Sequence, residues 1–190
     1  MDKLHTYEAY LALEAQSAEK HEYIDGFIVA MAGGTLQHSR LKTQLSYEVA
    51  SALRGKGCRV YDADARLHIR ATGLTTYPDL SVVCGPTERA PHDREALTNP
   101  IALCEVLSPS TAAYDRGEKF DHYCTIPSLR HVVFVDFRRP HVDVYSRTEA
   151  GDWLRRGYGR GETAALSALG IELDVAALYV DWEPEPAGRG

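Results

Sequence analysis

A chain of 190 residues, 44% of them hydrophobic, can bury a full core without disulfides or a structural metal, which excludes a small stapled scaffold. A single domain over residues 1–182 is expected, with a Pro- and Gly-rich flexible tail at 183–190. The formal net charge of −6 argues against a protein that coats nucleic acid, because non-specific affinity comes mainly from Lys and Arg neutralising phosphates; a local basic surface remains compatible with it. No stretch approaches the ~20 apolar residues that span a bilayer, and Met1-Asp2-Lys3-Leu4-His5 lacks a signal-peptide pattern, so a cytoplasmic protein with no membrane partner is expected.

In chain order, Thr6 can cap a helix that runs to Glu14, with Tyr7, Tyr10, Leu11 and Glu14 spaced for one face. Glu22 to Met31 reads as a hairpin about Asp25-Gly26, a pair that supplies the positive φ angles of a tight turn. A helix from about Leu36 to Leu53 follows, with Leu41, Leu45, Val49 and Leu53 on one stripe and Gly55 ending it. Cys58 to Ile69 alternates loosely as a strand, Thr72-Gly73 turns the chain, and Tyr77 to Cys84 forms the next strand. The segment Gly85 to Pro100 has three prolines and many charges, which predicts a surface loop over or beside a site.

Ile101 to Leu107 is nearly all apolar, as a central strand covered on both faces should be. Ser108 and Ser110 offer caps for a helix running to about Thr125, and Pro127 separates it from strand His131 to Phe137. His141 to Ser146, Trp153 to Tyr158 and Gly170 to Leu173 read as further strands, and Val175 to Tyr179 as a short helix. Helix, three strands, helix, strand is an αβββαβ order, an α/β fold with a mixed central sheet flanked by helices.

Cys58, Cys84, Cys104 and Cys124 form no C-x-x-C pair, so they are expected as unpaired buried hydrophobes in a reducing compartment. The pairs Arg66/Arg70, Arg138/Arg139 and Arg155/Arg156 are candidate phosphate contacts, and each also fits an ordinary solvated face.

Two acids stand where strand patterning does not want them. Asp79 follows Tyr77-Pro78 and precedes Leu80-Ser81-Val82-Val83, and Glu105 sits within Ile101-Ala102-Leu103-Cys104-Glu105-Val106-Leu107. A carboxylate in an apolar strand loses solvation unless it is paired or coordinates a cation, so two in neighbouring strands suggest a shared divalent metal.

The chain resembles the PD-(D/E)XK restriction-endonuclease-like superfamily and, within it, the Uma-type endonuclease family. The residues carrying the resemblance are His21-Glu22-Tyr23-Ile24-Asp25-Gly26, Gln37-His38, Tyr77-Pro78-Asp79, Glu105-Val106-Leu107-Ser108-Pro109-Ser110-Thr111, Tyr114-Asp115-Arg116-Gly117-Glu118-Lys119-Phe120 and Val135-Asp136. It implies a Mg²⁺-dependent endonuclease, with Mn²⁺ as a substitute, that cleaves DNA. Asp79, Glu105 and the Val106 carbonyl would hold the metal, and Asp79, Glu105, Lys119 and Glu22 would form the catalytic group. The superfamily lysine that normally stands two residues after the second acid is Leu107 here, and the resemblance implies that Lys119 on the next helix takes its role. The i,i+4 spacing of Asp115 and Lys119 fits an exposed ion pair as well, and Glu22 or His38 could be ordinary surface residues. A catalytically weak or inert nucleic-acid-binding or interaction domain is the alternative function. Cutting both strands of DNA favours a twofold homodimer.

Overall fold

The structure is a computed structural model that describes residues 4–31 and 33–183. Helix α1 (Tyr7–Glu14) starts where the Thr6 side chain accepts a hydrogen bond from the Ala9 N–H at 3.2 Å. Strands β1 (His21–Ile24) and β2 (Phe27–Ala30) are joined by Asp25 and Gly26 at φ 48° and 86°, the left-handed pair that a two-residue hairpin turn requires. Helix α2 (Leu36–Ala52) is capped by Thr35, whose side chain accepts from the His38 N–H at 3.2 Å.

Next come β3 (Cys58–Asp62), β4 (Arg66–His68), β5 (Thr75–Thr76), β6 (Leu80–Cys84), β7 (Arg89–Ala90), β8 (Asp93–Leu97) and β9 (Ala102–Val106). Helices α3 (Ala112–Arg116) and α4 (Glu118–Cys124) follow, then β10 (His131–Val135), β11 (His141–Arg147), β12 (Trp153–Gly159), β13 (Thr163–Leu166), β14 (Ile171–Asp174) and α5 (Val175–Leu178).

The central sheet has the order β12-β11-β10-β9-β6-β3, with β9 and β10 parallel and the other neighbours antiparallel. The αβββαβ order is therefore α2, β3, β6, β9, the α3–α4 pair and β10, a mixed α/β fold as expected from periodicity. Alternation along β9 divides the core. Ala102, Cys104 and Val106 pack with Leu41, Leu45 and Val49 of α2, while Leu103 and Leu107 pack with Tyr123, Ile126 and Leu129 on the opposite face. Glu105 belongs to the second face, beneath α4. A second sheet, β2-β1-β5-β4-β8-β7, lies beside this one and carries Glu22 on β1.

Several expectations change. Cys58 to Ile69 is not one strand: β3 joins the central sheet, and after a turn β4 joins the second sheet, so the loose alternation blended two strands with different partners. Gly85 to Pro100 is not a surface loop. It holds the β7–β8 hairpin with Asp93, Ala96 and Leu97 buried, because β8 pairs in parallel with β4. The helix expected from Ser108 to Thr125 breaks at Gly117 (φ −106°, ψ −105°), where a Cβ would stand 3.0 Å from the Ala113 carbonyl oxygen. Strand β13, pairing with β14, went unforeseen.

The cysteine expectation fails for one pair. Cys58 and Cys84 face each other across β3 and β6 with Cα atoms 4.0 Å apart and form a disulfide; Cys104 and Cys124 are free. Sequence spacing could not signal this, since only strand register brings the two together. No helix among the described residues is long and apolar enough to cross a membrane. Of the expected tail, residues 184–190 lie outside the described residues, and the Glu183 carbonyl accepts a hydrogen bond from Gln37 at 2.8 Å.

Candidate active site

The register Leu80↔Cys104 between β6 and β9 sets Asp79 against Glu105 at one end of adjacent strands. Two contacts lock this corner: the Val106 N–H donates to Asp79 Oδ2 at 2.8 Å, and the Asp79 N–H donates to Glu105 Oε2 at 3.3 Å. Pro78 holds its neighbour extended as the chain enters the strand, so Asp79 arrives at the mouth of the sheet. A cleft of about 570 Å³ opens there, lined by both acids and by Val106, Ser110, Asp115 and Lys119.

Lys119 lies at the centre of the acidic group, 4% exposed, so it is not the solvated partner of Asp115 that the i,i+4 spacing allows. Its Nζ is 2.9 Å from Glu105 Oε1, 3.4 Å from Asp115 Oδ1 and 3.5 Å from Glu22 Oε1. The break at Gly117 turns α4 so that Lys119 and Tyr123, one helical turn apart, both reach Glu105. The Tyr123 hydroxyl donates to Glu105 Oε1 at 2.5 Å. Glu22 is tied by a short hydrogen bond from Thr76 on the neighbouring strand β5. All four acids and bases expected in the catalytic group, Asp79, Glu105, Lys119 and Glu22, thus converge.

Charge and burial oppose each other here. Burial pushes the Glu105 carboxyl up to about 7, against the pull of Lys119 and with the push of Asp79 and Asp115. Burial would lower the Lys119 pKa, but Glu105, Tyr123, Glu22 and Asp115 together raise it well above its ordinary value, so the ammonium stays charged. Burial likewise works to raise Asp79, yet hydrogen bonding from His38, the Lys42 charge and the Val106 N–H hold its carboxyl below the usual range.

Helix α2 supplies two residues that sequence reasoning undervalued. His38 Nε2 lies 2.8 Å from the Val106 carbonyl oxygen and 3.4 Å from Asp79 Oδ2, and Lys42 Nζ lies 3.1 Å from Asp79 Oδ1. His38 entered only through the family resemblance, with an ordinary surface histidine as the alternative; Lys42 was missed altogether. The available signal was the i,i+4 spacing of His38 and Lys42 beside the buried Leu41 and Leu45, which sets one polar row along the edge of the packed stripe.

The arginine pairs do not line this cleft. Arg66 is engaged by buried Asp93 at 3.3 Å, Arg70 by Glu88 at 3.5 Å, Arg139 by Asp136 at 3.4 Å and Arg155 by Asp143 at 2.9 Å. Asp136 is a turn residue, its carboxylate accepting from the Arg138 N–H at 2.8 Å.

The donor set fits a hard divalent cation: two carboxylates and the Val106 carbonyl meet at an open cleft, and the Lys42 ammonium already sits against one of those oxygens as a cation would. Among the described residues no three His, Cys, Asp or Glu side chains converge in a metal-holding arrangement, so a bound ion would depend on two carboxylates, one backbone oxygen and water.

Residues 7–176 match the model of the Uma2 family, described as "Putative restriction endonuclease". Two uncharacterized proteins of Synechocystis sp. (strain PCC 6803) are relatives. One, slr1290, is 38% identical over 172 residues, covering 90% of each chain. The other, sll1609, is 33% identical over 152 residues, covering 80% of this chain and 86% of its own. A crystal structure from Anabaena variabilis, of "a putative nuclease belonging to DUF820", superposes with a TM-score of 0.73 at 17% identity, covering 91% of this chain and 96% of the other, and so shares the fold.

Proposed function

This chain belongs to the Uma2 family, and from that membership and the geometry of the Asp79–Glu105 corner we propose that it is a divalent-metal-dependent endonuclease that hydrolyses DNA phosphodiesters. The observation that carries the reading is a fully buried, charged lysine held against the second acid at the open end of two adjacent strands. Asp79, Glu105 and the Val106 carbonyl would hold Mg²⁺, or Mn²⁺ in its place. The ion would supply Lewis-acid stabilisation of phosphoryl charge and a bound water of lowered pKa.

The chain's own residues do the rest of the work. The Val106 N–H orients Asp79, and the Tyr123 hydroxyl orients Glu105. Lys119 holds a fixed positive charge beside Glu105 where negative charge grows during in-line attack, and Glu22 and Asp115 keep its ammonium in place. Lys119 takes the position-independent role of the motif lysine that Leu107 cannot fill; the Leu107 side chain instead packs in the core beneath α4. A twofold homodimer belongs to the same proposal, since each copy offers one cleft and duplex cleavage needs two.

Supercoiled plasmid incubated with Mg²⁺ or Mn²⁺ tests the reading. Nicked and linear product is expected from the wild type, with at least ~10²-fold loss in Asp79→Asn and in Glu105→Gln. No metal-dependent cleavage of varied DNA and RNA by folded wild type would favour the binding-domain reading, which the dense pairing of Lys119 also suits.

A further inference from the structure

In the metal-site reading above, Asp79, Glu105 and the Val106 carbonyl would hold a divalent ion, and helix α2 lays a polar side chain on two of these residues. Lys42 Nζ stands 3.1 Å from Asp79 Oδ1, and His38 Nε2 stands 2.8 Å from the Val106 oxygen. Leu41 and Leu45 are buried in the core against β9, which fixes the rotation of α2 and points this row at the acids. Lys42 is otherwise a tether: its side chain is 31% exposed, lines the cleft, and has Asp79 as its ion-pair partner.

We propose that Lys42 is a built-in counter-cation of the acidic corner, occupying Asp79 in the metal-free protein, giving way when a divalent ion takes Asp79 Oδ1, and then presenting its charge to a phosphate in the cleft. The proposal rests on the metal-site reading above and extends it to a competition within the chain. A divalent ion ligated at about 2.0–2.1 Å and an ammonium cannot share one carboxylate oxygen from the same side without strong like-charge repulsion, so binding the ion breaks the Lys42–Asp79 pair. Four flexible methylenes let the ammonium swing into the open cleft, whereas Lys119, enclosed by three carboxylates, has no such freedom. The acidic corner thereby holds a similar charge balance with and without metal, and the displaced charge lies where a phosphodiester would arrive.

Calorimetric titration of Mn²⁺ into wild type, Lys42→Met, Lys42→Arg and Asp79→Asn/Lys42→Met tests this without any cleavage step. Removing the competitor should tighten Mn²⁺ binding about 2- to 5-fold in Lys42→Met, the range expected for a partly exposed ion pair. Lys42→Arg, which keeps the charge, should bind close to the wild type, and the double variant should lose the gain. Binding seen in Lys42→Met but not in wild type also supports the proposal. Equal or weaker binding in Lys42→Met overturns it, as does an absence of binding in both proteins. An affinity shift as expected, beside a wild type that fails to cut in the plasmid assay above, would remove the nuclease reading alone. Circular dichroism checks folding, and Lys42→Gln provides a second uncharged variant.

Discussion

Lys119 shows how far one side chain's surroundings can depart from its sequence spacing. Its i,i+4 spacing from Asp115 suggests a surface ion pair worth about 0.3–0.5 kcal/mol, but it is buried among Glu105, Glu22 and Asp115. Removing one partner of a buried charge network leaves the others uncompensated, at a cost of about 3–5 kcal/mol. Lys119→Ala is therefore expected to lose about that much stability in urea titration as well as activity, and Glu105→Gln/Lys119→Met should lose less than the sum of the two single variants. A loss below ~1 kcal/mol for Lys119→Ala would mean that the cluster is solvated. Tyr123→Phe removes one donor to Glu105 and should cost about 1–2 kcal/mol by the same titration. Asp79 and Glu105 were legible because a lone acid in an apolar run is anomalous. Lys42 and Tyr123 were not, because a lysine or a tyrosine on an amphipathic helix is ordinary until its partner is known.

At the scale of elements, β10 is tied to its surroundings by a histidine rather than by a charge. His131 is buried at the start of β10; its Nε2 accepts from the Ala168 N–H at 3.0 Å, which leaves Nδ1 to donate to Ser146 Oγ at 3.0 Å. Burial pushes its pKa down to about 4, so the folded state holds the neutral ring that both hydrogen bonds need. The unfolded chain takes up this proton near pH 6.5 and the folded chain only near 4. The stabilisation from this group is therefore full above about 6.5, falls as pH drops through the window, and levels off below about 4. Its size should be on the order of 3 kcal/mol. Denaturant titrations at pH 7, 5.5 and 4 should show the gap between wild type and His131→Gln narrowing as the pH falls; a constant gap would contradict the assignment. The long elements α2, β9, β10 and β11 were legible from periodicity. The strands β4, β5 and β7 were not, because two or three residues hold too little pattern to outweigh the turn residues around them, and β8 was not because Asp93, Arg94 and Glu95 open it with three charges.

For the whole molecule, a net charge of −6 and a cleft lined by no arginine among the described residues mean that nucleic acid would be held by a few local cations rather than by a general basic field. The proposed homodimer needs apolar surface away from the cleft. Edge strand β2 exposes Phe27 and Val29, with Leu4 and Leu13 also exposed on the N-terminal segment and α1. Light scattering should give twice the chain mass, reduced to one by Phe27→Lys/Val29→Lys; a wild-type monomer at high concentration would dismiss the dimer. Read alone, the sequence determined the αβββαβ order, the central strand at Ile101 to Leu107 and the two anomalous acids, because hydrophobic periodicity and the cost of burying a charge act locally along the chain. Tertiary structure decided that Cys58 meets Cys84, that the Gly85 to Pro100 segment forms a hairpin, that Lys119 is enclosed by three carboxylates and that Lys42 rests on Asp79. Each depends on strand register or helix rotation between residues distant in sequence, which only the packed core sets.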